Sequence, residues 1–387
     1  MKKICICTTI SITMKCFVID TAEYLHNNLN FDVTLICSND DDFKACLPEY
    51  IHYIPIEMKR GIDIRGIKSI REFKKIFRRE KFDIVQFSTP NASLYASIAA
   101  KQCKIPIRLY CQWGIRYVGM SGVARRIFRF LEKIVCKKAT RIWSVSPLNR
   151  DFAIKEKLCA PNKISVIGNG GTIGVDMHEY DISLKQKWRS EVREKYSIGE
   201  QELLFGFAGR MSVDKGSNEL LEAIKKLTQT NKGIKLVVIG PIEQTGGIRD
   251  DLYQWAERAE QVIFTGKVEN REMCKYYAAM DVLVHPTYRE GFGMVLQEAG
   301  AMGVAIITTQ IPGASEVMEE GISAIHVKAK NTVDLYDAML KLSNDRNMVK
   351  RIGEAAYCRT KLLYDRPIML KNQGEAYEQL IEGYKRK

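Results

Sequence analysis

Short apolar runs recur along the chain, and each is followed by a longer stretch with apolar residues at helical spacing. Runs this short read as buried strands and the stretches between them as helices, so the polypeptide is a succession of βα units. Strands are expected at Ile4–Thr8, Val33–Cys37, Ile51–Ile54, Ile84–Phe87, Ile107–Cys111, Arg141–Val145 and Ile164–Ile167. Helices are expected over Ile19–Asn28, Gly66–Arg79, Asn91–Gln102, Val123–Lys137 and Ser146–Lys157. Alternation of this kind argues for an α/β protein with a parallel, doubly wound sheet.

The alternation breaks once. Gly168-Asn169-Gly170-Gly171-Thr172-Ile173-Gly174 is too rich in glycine for a regular element, and a polar segment follows to about Glu202. A domain boundary is placed here, giving 1–180 and 181–366. The second half then restarts with strands at Leu203–Ala208, Leu236–Ile239, Val262–Phe264, Asp281–Val284, Val304–Thr308 and Ala324–Val327. Its helices are expected at Ser217–Thr228, Asn270–Ala279 and, briefly, Gly313–Met318, with two more running through Leu342 and Tyr357. A last helix, about Met369–Tyr384, follows Pro367 and is expected to pack back on the first domain, so that 367–387 joins it. A chain of 387 residues accommodates two domains at roughly 100–200 residues each.

Two loops carry the chemistry. Gly209-Arg210-Met211-Ser212-Val213-Asp214-Lys215-Gly216 lies between a strand and a helix. Its guanidinium, ammonium and helix-start N–H groups suit a diphosphate. It is not a P-loop, because GxxxxGK[ST] is absent. His285 to Ala299 repeats the strand–loop–helix plan, with Glu290, Gly291 and Gly293 in the loop and Glu298 on the helix. Ligands of open parallel sheets sit at the carboxyl ends of strands, where both loops fall. Each loop alone could be an ordinary surface turn; the pair in one domain is the signal.

Together, Gly209-Arg210, Lys215-Gly216, Glu290-Gly291-Phe292-Gly293 and Glu298 resemble glycosyltransferase family 4. Phe82-Asp83-Ile84-Val85-Gln86, Val145-Ser146-Pro147 and Val166-Ile167-Gly168-Asn169-Gly170 also look like stretches of the bacterial enzymes that build capsule and O-antigen repeat units. The resemblance implies the GT-B fold: two doubly wound Rossmann-like domains facing a cleft, with the C-terminal helix crossing back to the first. It implies a retaining transferase that uses a nucleotide-sugar, with UDP expected, and a lipid-linked saccharide acceptor. By resemblance, Arg210 and Lys215 hold the pyrophosphate and Glu290 bonds the donor sugar. Backbone N–H groups of Phe292 and Gly293 contact the sugar, and those of Met294 and Val295 the phosphates. Glu298 accepts from the ribose, and Lys267 and Val268, beside Gly266, lie at the base; Gly209 and Gly291 belong to the same donor site.

Two departures stand on the acceptor side. Relatives carry His-Gly after the strand equivalent to Ile107–Cys111, whereas this chain reads Gln112-Trp113-Gly114, followed by Arg116 and Tyr117. Trp113, Gly114 and Arg116 are the candidate acceptor-side residues. The glycine pair of the family's first loop is replaced by Thr8-Thr9-Ile10-Ser11-Ile12-Thr13. His285 is expected to cap a strand end. A retaining front-face reaction needs charge stabilisation on the leaving diphosphate more than a side-chain base. No cofactor and no metal are expected, and Asp40-Asp41-Asp42 reads as a plain acidic turn. An inactive partner subunit of the same fold and a nucleotide-sugar epimerase are the alternatives.

The formal charge of +13 calls for an anionic partner. Nucleic acid is disfavoured, since no helix-turn-helix, zinc or RNP pattern is present. Basic residues crowd Lys59–Lys81 and Ala124–Lys138, with Phe73, Phe77, Phe128 and Phe130 among them. These segments suggest an anionic membrane surface, with the phenylalanines dipping into the headgroups. No apolar run approaches the ~20 residues of a membrane span, and Met1–Cys7 opens a strand and not a signal peptide. The expected location is cytoplasmic, peripheral to the inner face of the cell membrane. The 11 cysteines show no CxxC pair and no metal spacing, so reduced, buried thiols are expected.

Overall fold

Each half of the alternation closes a parallel sheet of its own. The computed structural model describes residues 1–58, 61, 66–243 and 247–385. Positions 59, 60 and 62–65 of the first basic stretch lie outside the described residues. The chain divides into one unit of Met1–Ile173 with Pro367–Lys387 and a second of Gly174–Arg366. The division falls at Ile173 because the next residues are stitched to the far end of the second unit. Val175 N–H donates to Tyr364 O at 2.8 Å and Arg366 N–H to Val175 O at 2.9 Å.

The first unit contains strands β1 (Lys2–Cys7), β2 (Phe31–Cys37), β3 (Ile51–Pro55), β4 (Ile84–Phe87), β5 (Ile107–Gln112), β6 (Arg141–Ser144) and β7 (Ile164–Val166), in the order β3-β2-β1-β4-β5-β6-β7. Its helices are α1 (Ser11–Phe17), α2 (Ile19–Leu29), α3 (Asp41–Ala45), α4 (Gly66–Glu80), α5 (Pro90–Gln102), α6 (Gly122–Lys138) and α7 (Pro147–Lys155). Successive side chains of a strand face opposite ways, so β1 feeds two cores. Cys5 and Cys7 join Phe73, Phe77, Ala96, Val135 and Cys136 on one face of the sheet. Ile4 and Ile6 join Met14, Ala22, Leu25 and Tyr377 on the other. The two thiols lie 3.5 Å apart on their shared side.

The second unit contains helices α8 (Lys185–Lys195), α9 (Ser217–Thr230), α10 (Asp250–Arg258), α11 (Met273–Ala279), α12 (Met294–Ala301), α13 (Thr332–Asn344) and α14 (Arg346–Leu363). They surround strands β8 (Leu203–Ala208), β9 (Ile234–Ile239), β10 (Val262–Gly266), β11 (Val282–His285), β12 (Ala305–Thr309) and β13 (Ile325–Val327). The sheet order is β10-β9-β8-β11-β12-β13, and all pairings are parallel. The strand order reverses between β8 and β11. Helix α15 (Arg366–Lys385) then returns to the first unit, where Tyr377 is buried and bonded to Gln86, and Thr21 Oγ1 donates to Gln373 at 3.0 Å.

The structure departs from the sequence reading in several places. Of residues 8–13, which stand in place of the family's glycine-bearing loop, Ser11–Thr13 already form the first turn of α1. The polar segment before Glu202 forms α8, whose inner face is Val192 and the buried Arg193. Arg193 is tied to Asp281 at 2.8 Å and to the carbonyl of Gly199 at 2.7 Å, so this helix docks through hydrogen bonds more than through an apolar stripe. Gly313–Met318 is a series of turns, because Gly313 sits at φ +81°, outside the right-handed helical region. Finally, Phe73 and Phe77 are core residues at 0% and 1% exposure and cannot reach a membrane. Phe128 is half-buried beneath Arg116, whose guanidinium lies 4.4 Å from its ring; Phe130 alone of the four is exposed.

Candidate functional site

In the second unit, the reversal of strand order lies between β8 and β11, and both chemistry-bearing loops leave that point. Such a switch splays the loops on either side and opens a crevice at the carboxyl ends of the strands. The loop after β8 carries Arg210 and Lys215; the loop after β11 carries Glu290 and leads into α12.

The two loops are laced together. Tyr288 N–H donates to Asp214 O at 2.9 Å, and the Arg289 guanidinium meets the Asp214 carboxylate at 3.0 Å. Tyr288 Oη donates to Glu219 Oε1 at 2.6 Å. Gly216, at φ +72°, lets the loops touch: a Cβ there would lie 2.1 Å from the Pro286 carbonyl oxygen. Only glycine takes that conformation and that proximity together.

At the centre, Lys215 Nζ donates to Glu290 Oε2 at 2.8 Å, with the two side chains 25% and 19% exposed. The same oxygen meets His285 Nε2 at 3.1 Å, and Glu290 Oε1 accepts from Gly291 N–H at 3.0 Å. Burial works against charge on Glu290, but the His285 hydrogen bond and the Lys215 ammonium outweigh it and hold the carboxyl far below the usual carboxylate range. Burial lowers the His285 pKa, against the pull of the Glu290 carboxylate, and so disfavours the charged ring. A neutral ring facing a carboxylate presents Nε2–H as the donor.

His285 was read from sequence as a strand cap. It is the last residue of β11, 2% exposed, and it positions Glu290. The signal that could have found it is spacing: a polar side chain that ends a fully buried strand, with a carboxylate in the following loop.

The remaining donor-side candidates fall as follows. Arg210 Nη1 meets Glu243 Oε1 at 2.8 Å and Nη2 meets Asp214 Oδ1 at 3.8 Å, with the guanidinium half-exposed. Gly209 follows β8 directly. Met294 and Val295 form the first turn of α12, whose N–H groups point along the helix axis. Gly293 departs from expectation: its N–H is taken by Gly313 O at 3.1 Å, so it is not offered to a sugar. Phe292 is buried with its ring 5.6 Å from Tyr364. Glu298 accepts from Tyr277 Oη at 2.7 Å, and burial raises its pKa. Lys267 and Val268 lie on the loop after β10, at the same carboxyl end of the sheet.

In the first unit the acceptor-side candidates separate. Trp113 and Gly114 follow β5, and Trp113 joins Phe17, Gln86, Trp143 and Tyr377 around one pocket. Arg116 lines another, with Ser93, Tyr110, Phe128 and Glu132. Gln112 ends β5, directly before Trp113 and Gly114. It is buried, and its amide donates to Glu132 Oε1 at 2.7 Å, beside the Tyr110 hydroxyl at 2.8 Å. Burial raises the pKa of this Glu132 carboxyl, which the sequence did not single out. Asp40 caps α3 by accepting from Phe43 N–H at 2.8 Å. Among the described residues no cluster of three or more His, Cys, Asp or Glu could hold a metal. No helix among them is long and apolar enough to cross a membrane.

Two family models match the chain. The family described as Glycosyltransferase Family 4 matches residues 17–171, and the family described as Glycosyl transferases group 1 matches residues 189–359. The chain is 29% identical over 362 residues, 93% of each sequence, to the capsular polysaccharide biosynthesis glycosyltransferase CapM of Staphylococcus aureus. It is 21% identical over 325 residues, 82% of each, to the UDP-Gal:alpha-D-GlcNAc-diphosphoundecaprenol alpha-1,3-galactosyltransferase of Escherichia coli. Its fold is similar to that of HepE from Anabaena in complex with UDP, with a TM-score of 0.78 at 16% identity, covering 98% of this chain and 100% of that one.

Proposed function

The chain belongs to the glycosyltransferases of family 4 and group 1, and from that premise we propose that it moves a sugar from a nucleotide-diphosphate sugar to a lipid-linked saccharide, with retention at the anomeric carbon, in the synthesis of a bacterial surface polysaccharide. The observation that carries this reading is the Lys215–Glu290–His285 group at the β8/β11 reversal, flanked by Arg210 and the start of α12. The relatives support its finer parts. CapM is named for capsule synthesis, the E. coli enzyme for a UDP-sugar and a diphosphoundecaprenol acceptor, and HepE binds UDP. A uridine nucleotide donor and an acceptor anchored at the inner face of the membrane follow by analogy.

The pyrophosphate is held by the Arg210 fork, the Lys215 ammonium and the N–H groups of Met294 and Val295. Lys215 has three donors, so it can keep Glu290 while reaching a phosphate oxygen. Glu290, ionised and fixed on both oxygens, accepts from donor-sugar hydroxyls; Glu298 accepts from the ribose, and Lys267 and Val268 flank the base. The anomeric carbon–oxygen bond to phosphate breaks as the acceptor hydroxyl oxygen bonds the same face of that carbon. The acceptor proton passes to the departing phosphate oxygen, so no side-chain base is required. The protein's part is to stabilise the charge developing on the diphosphate. The nucleotide-sugar is a substrate, and neither cofactor nor metal enters the scheme.

The test is transfer from UDP-sugars to a polyprenyl-diphosphate saccharide, with the anomeric coupling of the product read by NMR. A product of the donor's configuration supports the reading, and an inverted product overturns the mechanism. Absence of transfer, with the nucleotide bound, favours the inactive-subunit alternative; interconversion of the nucleotide-sugar itself favours an epimerase.

A further inference from the structure

In the first unit the strand order reverses between β1 and β4. Ligands of open parallel sheets gather at the strand ends beside such a reversal. A pocket lies there, on the side of the sheet covered by α5 and α6. Its walls include Ser93 and Leu94 of α5, Tyr110 of β5, Arg116 of the loop that follows, and Phe128 and Glu132 of α6. Three of these groups are left over by the fold. The Ser93 hydroxyl is 1% exposed and has no hydrogen-bond partner, a cost that a folded protein seldom carries. Tyr110 Oη and Gln112 Nε2 donate to Glu132 at 2.8 and 2.7 Å, and both bonds fall on Oε1. Among the described residues no protein group donates to Oε2 and no cation pairs with Glu132. Burial accordingly raises the pKa of this carboxyl. The Arg116 guanidinium is fixed 4.4 Å from the Phe128 ring, and among the described residues it meets no carboxylate.

A ligand that satisfies all three groups brings hydroxyl or amide donors to Glu132 Oε2 and Ser93, an apolar face to Leu94 and Phe128, and an anion to Arg116. A guanidinium fork held flat on an aromatic ring suits a phosphate, whereas an unpaired carboxylate repels one and asks for hydroxyls. We propose that this pocket takes a sugar carried on a phosphate, with the sugar's donors on Glu132 and Ser93 and the phosphate on Arg116, and that the sugar is the acceptor's. This rests on the reading of the protein as a transferase with a lipid-linked saccharide acceptor, and it names the residues that choose the saccharide. A nucleotide-sugar offers the same sugar-phosphate chemistry, but the second unit already gathers Lys215 and Glu290, with Arg210 on the same loop, for that substrate. Glu132 is the discriminating group. A sugar with a hydroxyl or acetamido N–H against Oε2 satisfies it, and a deoxy sugar leaves a desolvated carboxylate unpaired.

The experiment is transfer from UDP-sugars to farnesyl-diphosphate-linked N-acetylglucosamine, N-acetylgalactosamine, glucose and galactose, with UDP binding read by calorimetry. Glu132→Gln keeps an oxygen for Tyr110 and Gln112, and it should raise acceptor KM about tenfold or more. Ser93→Ala should raise it about threefold to tenfold. Arg116→Gln should raise it about tenfold to a hundredfold for the diphosphate acceptors, and not for the matching farnesyl glycosides, which carry no phosphate. Donor KM and UDP affinity should stay at the wild-type values in all three variants, a split that general damage to the fold does not produce; thermal melting checks that each is folded. Unchanged acceptor KM in Glu132→Gln and Ser93→Ala overturns the proposal. A rise in donor KM in place of acceptor KM also overturns it, because the pocket then serves the nucleotide-sugar. An equal effect of Arg116→Gln on both kinds of acceptor overturns the phosphate contact. If wild type uses none of the acceptors, saturation-transfer NMR with the glycosyl 1-phosphates of the same sugars decides: binding that Glu132→Gln abolishes supports the pocket, and no binding by wild type overturns it. Failure of UDP binding strikes the glycosyltransferase reading alone and leaves the pocket to the NMR result.

Discussion

Replacing His285 by leucine removes one hydrogen bond to an ionised carboxylate and changes little else. The imidazole is 2% exposed, so no water takes its place, and Glu290 Oε2 keeps only Lys215 at 2.8 Å. A hydrogen bond to a charged group is worth about 1.5–3 kcal/mol. His285→Leu should therefore destabilise the protein by about that amount and, by loosening Glu290, lower kcat about tenfold to a hundredfold with little change in donor KM. His285→Gln restores an N–H donor and should recover most of both. Stability against pH separates wild type from both variants. The imidazole's pKa is pushed below 6.5 in the fold, so the unfolded chain binds more protons as pH falls. Stability from this group is complete above about pH 6.5 and is lost as pH falls towards the folded value, with a slope of at most about 1.4 kcal/mol per pH unit. His326, also lowered by burial, adds in the same direction, so the quantity to read is the difference between wild type and His285→Gln. Urea unfolding at pH 7.5 and 5.5, with steady-state kinetics, supplies both measurements. Wild-type stability and turnover in His285→Leu, or glutamine as damaging as leucine, refute the positioning role.

Arg210→Ala and Lys215→Ala should each weaken UDP binding about tenfold to a hundredfold in calorimetry, while Glu290→Gln mainly lowers turnover; unchanged affinity in both basic variants refutes the diphosphate assignment. Gly313→Ala should lower Tm and activity together, by about 1–3 kcal/mol in stability, because φ is +81° and the new Cβ would lie 2.2 Å from Gly291 O and 2.7 Å from Glu290 O. Activity should survive excess chelator, and its loss would mean that a metal acts at the diphosphate.

The strands were legible because parallel strands buried on both faces are short continuous apolar runs. The loops at β8 and β11 were legible because glycine and charge coincide there at strand ends. Four short or polar helices escaped: α1, α3, α8 and α10. Helix α8 shows why, since it docks by Arg193 and backbone carbonyls and offers no apolar period to count. His285 escaped because its role depends on where β11 stops, and strand ends are the least determined feature of a pattern. Trp113 and Arg116, close in sequence, line different pockets because a loop reverses side-chain direction within a few residues. The spacing of Phe73, Ile76 and Phe77 on α4 was legible as a core-facing stripe, and its burial leaves Phe73 and Phe77 nothing to offer a membrane.

The return of α15 bears on how the molecule is made. Tyr377 lies at 1% exposure among the residues of the first sheet, with Phe31 6.3 Å and Trp143 4.8 Å from its ring. On the ribosome, residues 1–173 emerge before the second unit, and α1 and α2 cover part of that side of their sheet, yet the part around Phe31 and Trp143 lacks its Tyr377 cover throughout synthesis of the entire second unit. The second unit is contiguous and can close early. The first is completed last, by the helix that follows Pro367, and until then it presents apolar surface to whatever holds nascent chains.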